Sequence, residues 1–261
     1  MARSALLNVM TAAAMKAGRG LSRDFGEVQN LQVSVKGPGD FVSAADRRAE
    51  KVIRQELQKA RPEFGMLMEE SGEIAGSDKQ NRWIVDPLDG TTNFLHGIPI
   101  FAVSIALERE GQIVAGVIYN PAMDELYTAE RGSGAFFNDS RLRVSGRREM
   151  AECVIGTGIP HLGRREHGTF LEQQRRVMLQ ASGIRRIGAA ALDLAWVAAG
   201  RLDGFWEHGL EPWDMAAGIL MIREAGGYVS DHEGGNNMFG TGRIVAGNEA
   251  IHRQLREQIN F

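Results

Sequence analysis

Cysteine is almost absent from the sequence, and this shortage excludes some chemistry at the outset. The 261 residues include one cysteine, Cys153, so no internal disulfide can form. Cys153 precedes the apolar pair Val154 and Ile155, and a lone thiol in such a run is typical of a small buried side chain in a reducing compartment. We therefore expect a cytoplasmic protein and do not expect thiol catalysis.

The sequence also lacks a long uninterrupted apolar run and a strong excess of either charge. Apolar residues between Ala2 and Phe25 recur at helical spacing, but Lys16, Arg19, Arg23 and Asp24 interrupt them, which argues against a membrane span and a signal peptide. The formal net charge of −3 gives no global reason to expect nucleic acid as a partner. We expect no membrane partner.

What is present is the composition of an ordinary globular enzyme. Hydrophobic residues make up 43% of the chain and charged residues 24%, and the 32 glycines suggest many tight turns or close approaches of the backbone to a ligand. The length suits one large domain or two modest ones. The residue pattern changes near residue 143, and we expect the halves 1–142 and 143–261 to pack as one compact body with a ligand cleft between them.

The two halves predict different arrangements of secondary structure, which together make an α/β fold. In the first half, helices are predicted over Ala2–Phe25 and Ala44–Lys59, with a flexible turn from Lys36 to Asp40 between them. They should pack on an antiparallel sheet with strands at 66–68, through Trp83, and at 102–108, 113–119, 125–128 and 135–137. The second half is a predicted layered α/β unit with strands at 153–157, 184–187, 204–207, 228–230 and 243–246 and helices at 167–181, 189–199, 213–225 and 249–259.

The most informative stretch runs from Trp83 to Phe94 and reads WIVDPLDGTTNF. Pro87 ends a buried strand, so the chain should turn at Asp86. Gly90 lets the backbone approach a ligand closely, and the threonines after it begin a short helix whose N–H groups can hold an anion. The two aspartates would then face a cation while the amides face a phosphate; the alternative is a plain turn with an Asx cap.

Two further acids stand where strands and helices meet. Glu69 follows the strand at 66–68, and Asp214 opens a helix after Pro212. Carboxylates that converge repel one another unless some are protonated or cations lie between them, and oxygen-only ligands favour Mg²⁺ over zinc. The alternative for Asp214, as for Asp46, is an acid that only stabilises the first turn of its helix.

These motifs, in this order, closely resemble the inositol monophosphatase family of magnesium-dependent, lithium-sensitive phosphatases. The resemblance covers nearly the whole chain and includes EES at Glu69, DPLDGTTNF from Asp86 and PWDMAAG from Pro212, followed by REAGG from Arg223. It implies a sugar-phosphatase-like αβαβα sandwich, a homodimer, and hydrolysis of inositol monophosphate by metal-activated water.

The resemblance also implies roles for particular residues. The metal ligands would be Glu69, Asp86, the Leu88 carbonyl, Asp89 and Asp214. The groups that orient and activate the attacking water would be Thr91 and Asp46, together with Glu69. The substrate contacts would be the backbone amides of Gly90 and Thr91, the backbone of Ala190, and the carboxylates of Glu207 and Asp214. Lys36 would lie in a loop that covers the site.

Two alternatives to this function remain open. The family's substrate-contacting serine has no equivalent in the stretch from Gly156 to His161, so fructose 1,6-bisphosphate, histidinol phosphate or NADP is an alternative substrate for the small phosphorylated polyol. The pair Arg185 and Arg186 and the arginines between 141 and 148 motivate a second role, association with RNA or RNA polymerase, against the simpler interpretation of solvated surface arginines or a dimer contact.

Overall fold

The protein is built of five alternating layers of helices and sheets, and β-branched and aromatic residues fill the sheets. The computed structural model describes residues 4–27, 33–37, 40–161, 163 and 166–260, with the backbone alone for 33–37 and 40–43. Its helices are α1 (Ala5–Phe25), α2 (Ala44–Ala60), α3 (Thr91–Leu95), α4 (His167–Met178), α5 (Ala190–Ala198), α6 (Pro212–Glu224), α7 (Met238–Thr241) and α8 (Glu249–Ile259). Its strands are β1 (Val33–Gly37), β2 (Asp40–Ser43), β3 (Phe64–Met68), β4 (Gly72–Ile74), β5 (Asp78–Asp89), β6 (Ala102–Arg109), β7 (Gln112–Asn120), β8 (Glu125–Glu130), β9 (Gly134–Phe137), β10 (Ser140–Arg141), β11 (Val154–Thr157), β12 (Gly183–Arg185), β13 (Gly204–His208), β14 (Tyr228–Ser230) and β15 (Arg243–Gly247).

The larger sheet has eight strands in the order β10-β9-β8-β7-β6-β5-β3-β4. Its neighbours are antiparallel except for β3 and β5, which run parallel with Met68 opposite Val85. The hairpin from β6 to β7 turns at Glu110 and Gly111, both at positive φ (51° and 74°), which is the conformation that a tight two-residue hairpin requires. The parallel pair matters most, because both of its strands end at the same edge of the sheet.

Helices α1 and α2 cover one face of this sheet. Small side chains on α1, among them Ala13, Ala14 and Ala17, are buried and let the helix lie close to the strands. At Gly18 a Cβ atom would come within 2.6 Å of the Tyr119 ring, so the absence of a side chain is required there.

Helices α5 and α6 form the central layer, between the two sheets. Every residue of α6 from Met215 to Ile222 is buried, which explains why this helix is apolar all round rather than amphipathic. It ends at Glu224, and Gly226 just beyond it has a φ of 84°, the left-handed conformation common after a helix. Because α6 packs against strands of both sheets, the position of its first turn is fixed relative to both.

The smaller sheet has five strands in the order β12-β11-β13-β15-β14, and α4 and α8 cover its outer face. The pairs β11–β12 and β11–β13 are parallel, whereas β15 is antiparallel to both of its neighbours. Cys153 is fully buried here and burial raises the pKa of its thiol to about 12, as expected of an inert core cysteine. In the described parts of the chain we find no helix that combines the length and apolarity needed to cross a membrane.

The predicted fold class is confirmed, and the differences from the predicted elements are local. Residues 33–37 and 40–43 pair as a hairpin where a flexible turn was predicted; Pro38 and Gly39 lie outside the described residues. Strand β5 does not stop at Pro87 but continues to Asp89, because the ladder tolerates an irregularity between Asp86 and Asp89. The division of the chain at residue 142 stays a prediction.

Candidate active site

The parallel pairing of β3 and β5 brings two of the predicted acids together. Met68 is opposite Val85, so the residues that follow, Glu69 and Asp86, lie at the same level, with Glu69 just past the end of β3 and Asp86 still paired with β6. The Glu69 backbone N–H donates to the Val85 carbonyl at 3.2 Å, which extends the pairing by one residue. Side chains at the carboxyl ends of adjacent parallel strands converge, and here both are carboxylates.

The segment after Asp86 is held by its own side chains. Oδ1 of Asp86 accepts from the Leu88 backbone N–H at 2.8 Å, and the Thr91 hydroxyl donates to the Leu88 carbonyl at 2.9 Å. Gly90 has a φ of 87°, and a Cβ atom there would lie 2.9 Å from the Ile100 carbonyl oxygen. Only glycine suits this position, which is why the turn can bring Asp89 back beside Asp86.

Helix α6, in the central layer, contributes a further acid, Asp214. Pro212 opens the helix, and Oδ2 of Asp214 accepts from the Glu211 backbone N–H at 2.8 Å in a capping box. The same carboxylate also faces the turn: Asp86, Asp89 and Asp214 each have a carboxylate oxygen within 4.8 Å of the others. Asp214 therefore caps its helix and belongs to the acid cluster, so the two interpretations of this residue are compatible.

A second group of acids adjoins the first. Asp46, in the first turn of α2, lies with Glu69 and Glu70 so that one carboxylate oxygen of each falls within 4.8 Å of the others. Glu50, one turn further along α2 and 4% exposed, accepts from the Glu70 backbone N–H at 2.9 Å and from the Ser71 hydroxyl. Glu50 thus holds the segment that carries Glu69 and Glu70.

The electrostatics of these acids are those of a site prepared for cations. Burial, followed by repulsion from Glu69 and Asp89, raises the pKa of Asp86 well above its usual value. Burial and the charge of Asp89 raise the pKa of Asp214 in the same way. Burial raises the pKa of Asp89 to about 7, although hydrogen bonds from the backbone of Ala191 and its neighbours act against the shift. Carboxylates so placed ionise together only with positive charge between them, and their oxygens suit a hard divalent cation.

The acids open on a cleft of about 390 Å³ between the two sheets. The described residues that line it include Glu69, Asp89, Gly90, Thr91, Ala190, Glu207 and Asp214. The other predicted site residues, Asp46, Asp86 and Leu88, are buried, with exposures of about 1%. The structure thus gathers the predicted metal-ligating, water-positioning and substrate-contacting residues at one place, whereas Lys36, predicted to lie in a loop that covers the site, belongs to β1.

The far wall of the cleft is made by the second half of the chain. Glu207 lies at the end of β13, and a Cβ atom at Gly158 would overlap its carboxylate, so the chain after β11 passes directly against Glu207. Asn93 joins the two walls, because its Nδ2 donates to the carbonyls of Ile100 and Ile187, at 2.8 Å each. The cleft is therefore a rigid junction of both halves.

Comparison with known proteins agrees with this geometry. The sequence model of the inositol monophosphatase family matches residues 2–260. The chain belongs to the inositol monophosphatase family. The family and the enzyme class, a phosphatase, were both predicted from the motifs and are confirmed.

Three similar proteins match this chain over nearly its whole length. An inositol-1-monophosphatase of Mesorhizobium japonicum is 71% identical over 259 residues, which cover 99% of this chain and 97% of that protein. A crystal structure of the extragenic suppressor protein suhB of Bartonella henselae is 69% identical, with a TM-score of 0.97, and the match covers 98% of this chain and 99% of that one. The Nus factor SuhB of Escherichia coli strain K12 is 45% identical over 250 residues, covering 96% of this chain and 94% of that protein.

Members of the inositol monophosphatase family are metal-dependent, and the acid clusters of this member fit that dependence. The structure also adds cleft and supporting residues that the sequence analysis did not single out. Arg186, which the sequence analysis considered only for surface, dimer or RNA contacts, is exposed and lines the cleft, and Asp193 also lines it and is 1% exposed. An acid within the apolar run of α5 was a signal that could have identified Asp193. Glu50 carried no such signal, since glutamate is ordinary in a helix.

Proposed function

We propose that the protein hydrolyses inositol monophosphate to inositol and phosphate with Mg²⁺. The proposal depends on two adjacent groups of acids beside a cleft that is also lined by Glu207. One group is Asp46, Glu69 and Glu70, and the other is Asp86, Asp89 and Asp214. Phosphate chemistry uses such acids to hold cations, and a carboxylate further along the cleft suits the hydroxyl groups of a polyol.

The residues that would hold the metal are Glu69, Asp86, the Leu88 carbonyl, Asp89 and Asp214. Mg²⁺ bound there would supply Lewis-acid chemistry, neutralising phosphoryl charge and making water a stronger acid. The Leu88 carbonyl oxygen has two lone pairs, so it can accept from Thr91 and still serve as a ligand. Magnesium is proposed because oxygen ligands with substrate phosphate are its usual environment.

Thr91 and Asp46 would position the attacking water. The single proton of the Thr91 hydroxyl is donated to Leu88, so Oγ1 offers lone pairs to the cleft and can accept a proton of the water in a hydrogen bond. Asp46 stands in the neighbouring acid group with Glu69, where a carboxylate can accept the second proton. These residues would orient the water by accepting its two O–H hydrogen bonds, and the backbone of Gly90 and Thr91 would bind the phosphate.

A substrate panel tests the assignment. We expect kcat/KM to be highest for inositol 1-phosphate, compared with fructose 1,6-bisphosphate, histidinol phosphate and NADP, and we expect activity to disappear with EDTA. In Glu207→Gln, KM for inositol 1-phosphate should rise while hydrolysis of 4-nitrophenyl phosphate, which has no hydroxyl groups, stays unchanged. If another ester had the highest kcat/KM, that ester would replace inositol 1-phosphate as the proposed substrate. Full activity in EDTA would contradict the metal-dependent mechanism.

A transcription-related role is a second candidate, because the relative named Nus factor SuhB is 45% identical over nearly its whole length. Two of the arginines that motivated this role have other contacts, which weakens the case for RNA binding. Arg147 forms an ion pair with Asp203 at 3.0 Å, and Arg186 lines the cleft. Electrostatic binding of RNA would weaken steeply with salt. A pull-down with RNA polymerase and a filter-binding assay with RNA, both negative at low salt, would remove this candidate.

We also propose three properties on the strength of the family resemblance: a homodimer, a cytoplasmic location and inhibition by lithium. A single buried cysteine is consistent with a reducing compartment. Light scattering would measure the oligomeric state, and activity at millimolar lithium with sodium as control would test the inhibition.

A further inference from the structure

A further cavity, of about 680 Å³, lies at the end of α6 opposite to the end that reaches the cleft. It is bordered by the end of α6, the start of β7, β14 and the region of α7, and it shares no lining residue with the cleft among the described residues. We call it the Arg131–Arg223 groove after the two arginines on its wall. Its size is that of pockets that hold small organic ligands.

The two arginines of the groove have neutral hydrogen-bond partners. Arg131 donates to the Gln112 side chain, and Nη2 of Arg223 donates to Oδ1 of Asn236 at 3.0 Å. Neither guanidinium forms an ion pair within the described residues. Partial burial, and then the charge of Arg131, lower the pKa of Arg223, so the two cations are close enough to repel each other. An anion between them would relieve this repulsion.

One acid also lines the groove, and its carboxylate is already engaged. The two oxygens of Glu224 accept from the backbone N–H groups of Gly132 and Gly134, at 2.9 and 2.8 Å. Glu224 therefore ties α6 to the turn after β8 and is not directed to the arginines. With two arginines against one glutamate, the lining is net positive in a chain whose net charge is −3.

Apart from Gln112 and Asn236, the other side chains that line the groove are aliphatic or aromatic. Leu220 and Val229 are buried at its floor, Ile113 and Phe239 are half-buried, and the Tyr228 ring is 50% exposed. A large exposed ring beside half-buried apolar residues gives a planar or apolar group a surface to pack on.

We propose that the Arg131–Arg223 groove binds a small organic anion, with its charged head between the two guanidinium groups and an apolar or planar body against Phe239 and Tyr228. Two adjacent guanidiniums without an acidic partner suit a carboxylate or phosphate head. The apolar part of the lining favours an organic anion over a bare inorganic ion, which has no body to pack there. The same 13-residue helix carries Arg223 in its last turn and Asp214 in its first, so a bound anion would contact the helix that holds part of the acid cluster.

The test uses 1-anilinonaphthalene-8-sulfonate, a fluorescent probe with an aromatic body and an anionic head, on the folded protein with Mg²⁺ and phosphate present to occupy the cleft. We expect one saturable site. Its affinity should fall about tenfold or more in the Arg131→Gln/Arg223→Gln double variant, because charge-assisted hydrogen bonds are lost. It should be unchanged in Arg109→Gln, a control that removes an exposed arginine outside the groove.

A second variant keeps both arginines. Asn236→Asp places a carboxylate where an amide oxygen now accepts from Arg223, with almost no change in shape, and it should weaken the probe to a similar degree. Displacement by phenylacetate would indicate a carboxylate head, and displacement by AMP a phosphate head. The proposal is overturned if the wild type shows no saturable site, if both variants bind the probe as the wild type does, or if neutral benzyl alcohol displaces it as well as the anions do.

Discussion

The backbone N–H of Ala191 donates a hydrogen bond of 2.7 Å to Oδ2 of Asp89, and so joins α5 of the central layer to the end of β5 across 102 residues of sequence. The bond fixes one oxygen of a carboxylate whose pKa burial raises to about 7. Asp89 is thus held by the second half of the chain while it faces the acids of the first. Asp89 therefore has two roles, one in the acid cluster and one in the junction of the two halves.

Asp89→Asn should separate these two roles. The amide oxygen of asparagine can still accept from Ala191, but one negative charge is removed from the acid cluster. We expect kcat/KM for inositol 1-phosphate to fall at least about 100-fold, since a proposed metal ligand is lost. Without metal, the melting temperature should stay the same or rise, because a buried charge that is repelled by its neighbours is gone.

Asp139→Asn is the matched control. Asp139 is exposed in the turn between β9 and β10 with a φ of 70°, a conformation that asparagine adopts as readily as aspartate. Its activity and melting temperature should equal those of the wild type. Near-normal turnover in folded Asp89→Asn would contradict the role proposed for Asp89.

Glu50 supports the acids without being one of the proposed ligands, and its removal should affect metal use. In Glu50→Gln one carboxylate oxygen becomes an N–H donor, so the variant cannot accept from both the Glu70 backbone and the Ser71 hydroxyl. We expect the Mg²⁺ concentration for half-maximal activity to rise about 10-fold to 100-fold, the usual cost of losing such a supporting contact. Glu56→Gln, which alters a more exposed acid on the same helix, should leave it unchanged. Equal Mg²⁺ requirements in both variants would show that Glu50 has no positioning role.

Sequence patterns identify candidate site residues most directly where their position follows from a strand or helix end. Glu69 and Asp214 come directly after a strand and at a helix start, and the structure brings both to the Asp86 turn. The family resemblance added Asp46 and Glu207, which no local pattern distinguishes from ordinary acids. The spacing of apolar residues also predicted most helices and strands, because this spacing differs between amphipathic helices and buried strands.

What sequence could not predict depends on contacts between distant segments. The parallel pairing of β3 with β5 is set by tertiary packing, and without it the meeting of Glu69 and Asp86 has no geometric explanation. Strand β5 passes through Pro87 because the local ladder is irregular there, although proline usually ends a strand. Glu50 could not be identified for the same reason, because its role appears only when α2 is placed against the sheet; Asp193 did carry a local signal, as an acid within an apolar helix.

The raised pKa values predict how stability without metal depends on pH. Asp89 has a pKa of about 7 in the folded protein and about 3.9 when unfolded, so between these values the folded state holds more protons. Its contribution to the free energy of unfolding is therefore present below about pH 4 and is lost as pH rises to about 7. Mg²⁺ competes with these protons, so it should raise the melting temperature more at pH 8 than at pH 5.5.

Buried histidines change the stability with pH in the opposite direction, so the effect of Asp89 has to be measured as a difference between two proteins that both contain them. Burial lowers the pKa of His232 to about 4, so its contribution to stability is lost as pH falls below about 6.5. The comparison is therefore between EDTA-treated wild type and Asp89→Asn in melting experiments from pH 4 to 8. The stability of the variant relative to wild type should increase as pH rises. A constant difference across this range would mean that Asp89 titrates normally.

Gly76 is the position where a methyl group should damage the fold without touching the acids. A Cβ atom there would overlap the Glu63 carbonyl oxygen and the Gly65 nitrogen, because the loop from β4 back to β5 lies against the start of β3. We expect Gly76→Ala to lower the free energy of unfolding by about 1–3 kcal/mol, the usual cost of forcing extra volume into a packed site. The strain should also disturb the alignment of β3 with β5, on which the meeting of Glu69 and Asp86 depends, and raise the Mg²⁺ requirement.

Gly20→Ala is the opposite case on the same chain. Gly20 lies within α1 with nothing within 4 Å of the added Cβ, so alanine should raise the free energy of unfolding by about 0.5–1 kcal/mol through helix propensity. Urea unfolding measures both variants, and an unchanged m-value would show that the midpoints report stability. If Gly76→Ala proved as stable as the wild type, the close contact of this loop with β3 would be wrong, and the alignment of β3 with β5 would need another explanation.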